Sequence, residues 1–455
     1  MWTTAQRRRL TETPYADALD RHAGAGIASF HALPIGSLAH APDGDDSALA
    51  ERTRRLFGSY LATELTLGSP ELDSFFRAHR QLARSRRLTA EAFGADDTQY
   101  VTTGTTGANQ VALEALRVAG ARVLVDRSVH QSIHFALDRL GADVLYAPTS
   151  PTDTEHGVIT ALREAKAAGV EVDVVVVGVS AYDGSLVQMR RFLGALQELT
   201  AESGCRVLVD EAWTAIHAFH PWLRRLTAIH AIRETLAEHP DWPASFLVTH
   251  STHKSMLALR QGSYLHVIGP DTLKATVRAA LYRVHTTSPS LPVLASLDIA
   301  RAHAVAEGTA LVERALAQAD RLRELARRVP WLAEHRPVAT TSAYLADPMK
   351  VHLDLGTPER AQEVRAALFD EYGIFVSRQD GSTLLFTMHV GVTPEQVDLL
   401  VEALESVCCL DAPECSCGDE RYIIAYPPGI PLQVPGEQLA APPSRRAGEE
   451  LYSTF

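Results

Sequence analysis

Thr249-His250-Ser251-Thr252-His253-Lys254-Ser255 is the stretch on which the reading of this chain turns. Lysine is scarce here. The 43 cationic residues comprise 39 arginines and four lysines, Lys166, Lys254, Lys274 and Lys350, so a lysine at any position runs against the chain's own bias. Arginine keeps its proton near neutrality and cannot attack a carbonyl, whereas a lysine in a shielded site can lose its proton and form an imine. Lys254 follows the apolar run Phe246-Leu247-Val248 and precedes the helix-compatible Met256-Leu257-Ala258-Leu259, which reads as a strand end, a polar loop and a helix start. Ser251, Thr252 and His253 supply donors suited to a phosphate beside the amine. A surface lysine opening a helix would fit the same letters, so the rest of the chain has to decide.

Working outward, Cys205-Arg206-Val207-Leu208-Val209-Asp210 reads as a strand closed by an acid, continuing into Glu211-Ala212-Trp213. Further upstream, the strand Tyr100-Val101-Thr102-Thr103 runs into Gly104-Thr105-Thr106-Gly107-Ala108-Asn109 and then a helix from about 110 to 118. A Gly/Thr loop entering a helix gathers backbone N–H groups, hydroxyls and the positive end of the helix dipole at one point, which suits a phosphate. Between these lie strands at 122–126, 143–146 and 172–179 and helices at 132–140 and 160–168; the run Val172–Val179 is almost wholly apolar, as a strand covered on both faces must be. Such alternation implies a mainly parallel sheet between helices, with ligands bound beyond the carboxyl ends of the strands. Asp210, the Gly104 loop and the Lys254 loop all lie at such ends. An imine-forming lysine, a phosphate loop and a carboxylate able to keep a pyridine nitrogen protonated are the parts of a pyridoxal 5'-phosphate (PLP) site.

The chain has 455 residues, 46% of them hydrophobic, enough for one large and one smaller domain. We read residues 1–60 as an N-terminal arm, 61–300 as the large domain and 301–455 as a small C-terminal domain. Helical spacing predicts a helix from Leu72 to Phe93, another from Leu273 to Val284 and a long one from about Leu294 to Val329. The small unit has predicted strands near 350–355 and 384–389 and helices at 358–372 and 394–407. The formal charge of −12 argues against a nucleic-acid-binding surface. With no apolar run of eighteen residues and no apolar signal core after Met1-Trp2-Thr3-Thr4, the expected setting is the cytoplasm, without membrane contact. Four of the five cysteines crowd into Cys408-Cys409 and Cys415-x-Cys417, which is not the paired spacing of a structural zinc site, and we expect free thiols and no metal.

The sequence resembles the ornithine/lysine/arginine decarboxylase family of fold-type I PLP-dependent enzymes. The resemblance runs from Thr13 to about Glu437 and rests on the Gly104–Asn109 loop, Asp126-Arg127-Ser128-Val129-His130-Gln131-Ser132, Tyr182-Asp183-Gly184, Asp210-Glu211-Ala212-Trp213, His217-Ala218-Phe219-His220-Pro221, Ser251-Thr252-His253-Lys254 and Ala425-Tyr426-Pro427-Pro428-Gly429-Ile430-Pro431. It implies an aspartate-aminotransferase-like α/β large domain with a mainly parallel sheet, plus a smaller α+β C-terminal domain. It also implies that Lys254 carries the PLP Schiff base, that Asp210 pairs with the pyridine nitrogen, that Thr105, Thr106, Gly107, Ser251 and His253 surround the phosphate, and that His130 stacks on the ring. Ala212 and Trp213 would pack at the other face and beside the acid. Thr286, Thr287 or Ser288 would reach the phosphate of a second subunit, making a homodimer with shared active sites the minimum assembly.

The implied reaction is decarboxylation of an amino acid, expected to be basic: lysine, ornithine, arginine or a derivative. His253 or Lys254 would return the proton to Cα. A long cationic substrate needs a carboxylate at the far end of its pocket, and Glu64, Asp183 and Asp380 are the candidates. A PLP-dependent aminotransferase or an oxygen-using amino-acid oxidase/deaminase is the alternative on this scaffold. A non-catalytic assembly subunit is the third reading.

Overall fold

The computed structural model describes residues 2–25, 33, 35, 48–65, 71–329, 331–336 and 340–407. The Cys408–Cys417 cluster and the Tyr426–Leu432 proline segment lie outside them, as does the Asp43-Gly44 loop.

Seven strands form the central sheet: β1 (Asp97–Val101), β2 (Arg122–Asp126), β3 (Asp143–Ala147), β4 (Val174–Gly178), β6 (Cys205–Asp210), β7 (Ala244–His250) and β8 (Ser263–Ile268), in the order β1-β8-β7-β6-β4-β2-β3. From β3 to β7 every neighbour is parallel, and β8 runs antiparallel to both β7 and β1. The β-branched runs that suggested fully covered strands are so placed: Val174 to Val177 are all buried. Strand β8 was not anticipated. It follows the Lys254 loop with no crossover helix between, and a strand that returns directly to its neighbour must run antiparallel.

Two helices differ from expectation. The segment expected to be helical from Leu72 starts its helix only at Gln81 and runs to Phe93. The buried Asp73 carboxylate accepts the backbone N–H groups of Arg80 and Leu82, each at 2.8 Å, so residues 71–80 fold as a loop that caps the helix from outside. After Lys254 the helix is a single turn, Thr252–Ser255, and Met256 is already extended. The glycine loop, by contrast, is itself helical: the helix spans Gly104–Ala115, with Gly104 at φ +71° turning the chain out of β1.

The helices Thr4–Leu10 and Pro14–Gly24 pack into the large core through Leu10, Tyr15, Ala18 and Leu19. They are tied down by the buried pair Asp298–Arg301: Asp298 accepts the Tyr15 N–H at 2.8 Å, and Arg301 donates to the Glu12 carbonyl at 2.6 Å. The 38-residue helix Leu291–Arg328 leaves the large core after Ala315 and enters a second core at Ala319. That second core lies under a four-stranded antiparallel sheet, β12-β13-β11-β9, made of β9 (Ala333–His335), β11 (Lys350–Asp354), β12 (Arg378–Asp380) and β13 (Thr383–Thr387), with helices Pro358–Asp370 and Pro394–Val407. The two units are stitched by β10 (Tyr344–Ala346), which pairs antiparallel with β5 (Ser185–Val187). Among the described residues no helix is long and apolar enough to cross a membrane.

Candidate active site

The carboxyl ends of β4, β6 and β7, the Gly104 helix and the His130 turn enclose a cavity of ≈ 640 Å³. Of the residues proposed from sequence, Thr105, Thr106, His130, Asp210, Ala212, Trp213, Ser251, His253 and Lys254 all line it. Gly107, Thr286 and Thr287 do not. A side chain at Gly107 would collide with the Thr103 hydroxyl, so that glycine serves the first turn of the helix; Thr286 and Thr287 are exposed on their own chain.

Asp210 ends β6 directly opposite Thr249 on β7, which carries the chain to Lys254. Its carboxylate is buried and held from two sides: Asn109 Nδ2 donates to Oδ2 at 3.1 Å and the Ala212 N–H to Oδ1 at 3.2 Å. Asn109 is fixed in turn by the Thr249 hydroxyl, 2.8 Å from its Oδ1. The sequence reading quoted Asn109 but gave it no role. The signal was its position four residues after Thr105 on one helix, which puts both side chains on the same face.

The Lys254 ammonium lies 4.1 Å from the centroid of the Trp213 indole. Burial pushes its pKa down, opposed by the Asp210 carboxylate, so the amine is closer to its free-base form than an ordinary lysine. His130 caps the helix Gln131–Leu140, its Nδ1 accepting the Ser132 N–H at 3.2 Å. Burial lowers the pKa of His130, against the pull of Asp210, which favours a neutral ring carrying its proton on Nε2. His253 Nδ1 lies 3.0 Å from the Gly262 carbonyl and donates to it, and burial lowers the pKa of this ring as well.

Thr105 Oγ1 contacts the hydroxyl of Ser251 and lies 2.9 Å from that of Ser263, a buried hydroxyl cluster at the head of the Gly104 helix. The cavity thus offers hydroxyls and a helix N-terminus at one end, a fixed carboxylate deeper in, a flat neutral imidazole and a depressed lysine. That donor set fits PLP, group by group: phosphate, pyridine nitrogen, ring face and aldehyde.

The sequence reading missed a second lysine. Lys350, buried on β11, donates to the carbonyls of Ala181 at 2.9 Å and Tyr182 at 2.6 Å, and its ammonium lies 4.6 Å from the same Trp213 ring. Burial pushes its pKa down to about 8, with Lys254 adding to the depression. The rarity of lysine that singled out Lys254 applied equally here.

Of the acids considered for a cationic substrate, none lines the cavity. Glu64 accepts from Ser290 at 3.3 Å; Asp183 is occupied by the Ser185 N–H and hydroxyl at 2.8 and 2.7 Å; Asp380 sits on β12 beside Arg378 at 4.0 Å.

An arginine decarboxylase of Halalkalibacterium halodurans is 28% identical over 412 residues, 80% of each chain. Lysine decarboxylase A from Pseudomonas aeruginosa superposes with a TM-score of 0.72 at 24% identity, over 88% of this chain and 60% of the solved one, so this chain spans about three fifths of that protein's length. TDC of Oryza sativa, solved with PLP, shares the fold at a TM-score of 0.53 and 16% identity, over 72% of this chain and 75% of that one. The model of the Orn/Lys/Arg decarboxylase major domain matches residues 13–351, the span that holds the whole cavity, and on that match the chain belongs to the Orn/Lys/Arg decarboxylase family.

Proposed function

We propose that this chain catalyses the PLP-dependent decarboxylation of an amino acid, with Lys254 as the Schiff-base residue. The observation that carries the reading is the meeting of a depressed lysine, a doubly hydrogen-bonded Asp210 and a buried hydroxyl cluster in one cavity. When bound, PLP supplies an electron sink for the pair left on Cα as carbon dioxide departs.

The chain's own residues do the rest. Asp210, kept in place by Asn109 and the Ala212 N–H, holds the proton on the pyridine nitrogen. Thr105, Thr106, Ser251 and His253 bind the phosphate, and Thr286 and Thr287 of a second subunit complete that end. Neutral His130 packs on one face of the ring, and Trp213 shields the lysine from water. Lys254, once free, or His253 delivers a proton to Cα. The names of the relatives, arginine and lysine decarboxylase, make basic amino acids the reference substrates.

The test is Lys254→Ala in the PLP-loaded enzyme, with release of carbon dioxide, keto acid and peroxide and uptake of oxygen followed across a panel of amino acids. Carbon dioxide without oxygen uptake, abolished in the variant together with the cofactor's lysine-bound absorption band, supports the proposal. Decarboxylation that survives in Lys254→Ala defeats it.

A further inference from the structure

Lys350 reaches the site from the small domain. It stands on β11, and its side chain crosses to the large domain, where the ammonium donates to the carbonyls of Ala181 at 2.9 Å and Tyr182 at 2.6 Å. Gly184 leaves room for its stem: a Cβ there would lie 3.1 Å from Lys350 Cδ. Thus held, the Lys350 nitrogen lies 4.6 Å from the centroid of the Trp213 ring, and the Lys254 nitrogen lies 4.1 Å from the same centroid. The two nitrogens are therefore at most 8.7 Å apart, the two distances added.

The acids around Lys350 are engaged elsewhere. Asp347 Oδ1 accepts the Met349 N–H at 2.9 Å and stands 3.7 Å from Nε2 of the buried His217, and Asp183 is taken by the Ser185 N–H and hydroxyl. Burial lowers the pKa of Lys350 to about 8 while Asp347 and Asp183 oppose the fall, so its nitrogen is charged near neutrality. On the large-domain side Asp210 is the acid that acts on Lys254. The imidazoles of His130, His253 and His389 beside Lys254, and of His217 and His352 beside Lys350, have pKa values lowered by burial and are uncharged near neutrality. Burial raises the pKa of the Tyr182 phenol, which keeps its proton. Arg260 and Arg378 share the outer cavity with Lys254 and are the same in every variant below, so they cancel in the comparison.

A lysine needed only to hold two loop carbonyls could carry its charge anywhere within their reach. This one carries it to the ring that Lys254 also contacts, where the indole keeps water from part of the space around both nitrogens. Like charges in such surroundings repel, and the repulsion is mutual: each disfavours the protonated form of the other. A neighbouring cation is one of the ways in which a nucleophilic lysine is activated.

We propose that Lys350 is a positioning residue for Lys254: its fixed charge beside the shared indole drives the proton from the Lys254 nitrogen, so the small domain activates an amine that the large domain carries. This rests on the reading of Lys254 as the Schiff-base lysine.

The experiment has two arms. In the PLP-loaded enzyme without substrate, the absorbance of the lysine-bound cofactor is titrated with pH for wild type, Lys350→Met and Lys350→Arg. Loss of a neighbouring cation should raise the midpoint by about 0.5–1 pH unit in Lys350→Met, whereas Lys350→Arg, which keeps the charge, should stay within about 0.2 unit of wild type. A role confined to bracing the loop would move the thermal midpoint and leave the absorbance midpoint in place. In the second arm the ε-carbon NMR shifts of the lysines are titrated in the cofactor-free full chain. Four lysines give four signals, and that of Lys350 is assigned by its loss in Lys350→Met. Lys254→Met, close to isosteric, should raise the Lys350 midpoint by about 0.5–1 pH unit, and this arm keeps Lys350 itself intact.

An absorbance midpoint unmoved in Lys350→Met, or a Lys350 midpoint indifferent to Lys254→Met, overturns the inference. Carbon dioxide release in that case leaves the decarboxylase reading standing. Both shifts in an enzyme that releases carbon dioxide from no amino acid uphold the inference and refute the proposed reaction.

Discussion

Replacing Lys350 with methionine separates charge from packing at the wall of the site. Lys350 is 7% exposed, and burial brings its pKa from 10.5 to about 8. At about 1.4 kcal/mol per pH unit, that drop means the folded state is disfavoured by about 3 kcal/mol when Lys350 is charged. The sign follows from proton uptake: between pH 8 and 10.5 the unfolded chain holds a proton that the folded chain has released, so stability rises with pH across that window, and the penalty is fully in force below it. Lys350→Met removes the penalty but also removes the hydrogen bonds to the carbonyls of Ala181 and Tyr182, worth about 1 kcal/mol each. At pH 7 the two effects nearly cancel, leaving the variant within about 1 kcal/mol of wild type; at pH 10 only the loss remains, and the variant should be weaker by about 1–2 kcal/mol. The assay is denaturant unfolding followed by circular dichroism at both pH values and one protein concentration, read as the variant-minus-wild-type difference so that other titrating groups drop out. A difference that is the same at pH 7 and pH 10 refutes a buried, titrating ammonium.

Three further perturbations have defined outcomes. Asn109→Ala takes a donor from Asp210 and an acceptor from Thr249, and PLP affinity of the apoenzyme, measured by absorbance titration, should fall about 10-fold, with an unchanged Kd counting against Asn109 as the support of the carboxylate. Asp298→Ala strands the fully buried Arg301 and frees the N-terminal helices, at a cost of about 3–5 kcal/mol in unfolding free energy; a loss under about 1 kcal/mol would show that the pair is not holding them. Gly184→Ala puts a methyl 3.1 Å from Lys350 Cδ at a residue with φ +91°, and should cost about 1–3 kcal/mol. Combining it with Lys350→Ala should return part of that loss, since the clash partner is gone, and full additivity of the two would rule out the contact.

How much of this was legible in the sequence depends on how local each signal is. Val174 to Val177 could be placed because a strand buried on both faces has to be apolar at every position, and this one is. The convergence of Thr105, Asp210 and Lys254 followed from one rule of parallel sheets, that loops at the carboxyl ends of strands share an edge. Strand β8 has no clean alternation, and no crossover helix separates it from β7 to announce it. Asp73 capping a helix eight residues downstream is likewise invisible to a 3.6-residue period, which therefore ran the helix back to Leu72.

The loop from Ser180 to Gly184 ties the cavity to the small domain. It forms part of the cavity wall through Ser180, Ala181 and Tyr182, yet much of what fixes it comes from the small-domain side. Lys350 donates to two of its carbonyls, His352 Nε2 lies 2.7 Å from the Asp183 carbonyl, and the Asp347 N–H reaches the Gly184 carbonyl at 2.7 Å. In return the Tyr182 hydroxyl donates to the Ser377 carbonyl at 2.5 Å, one residue before Arg378. A displacement of the small domain must therefore move the Tyr182 ring, and with it the indole it packs against and the lysine over that indole.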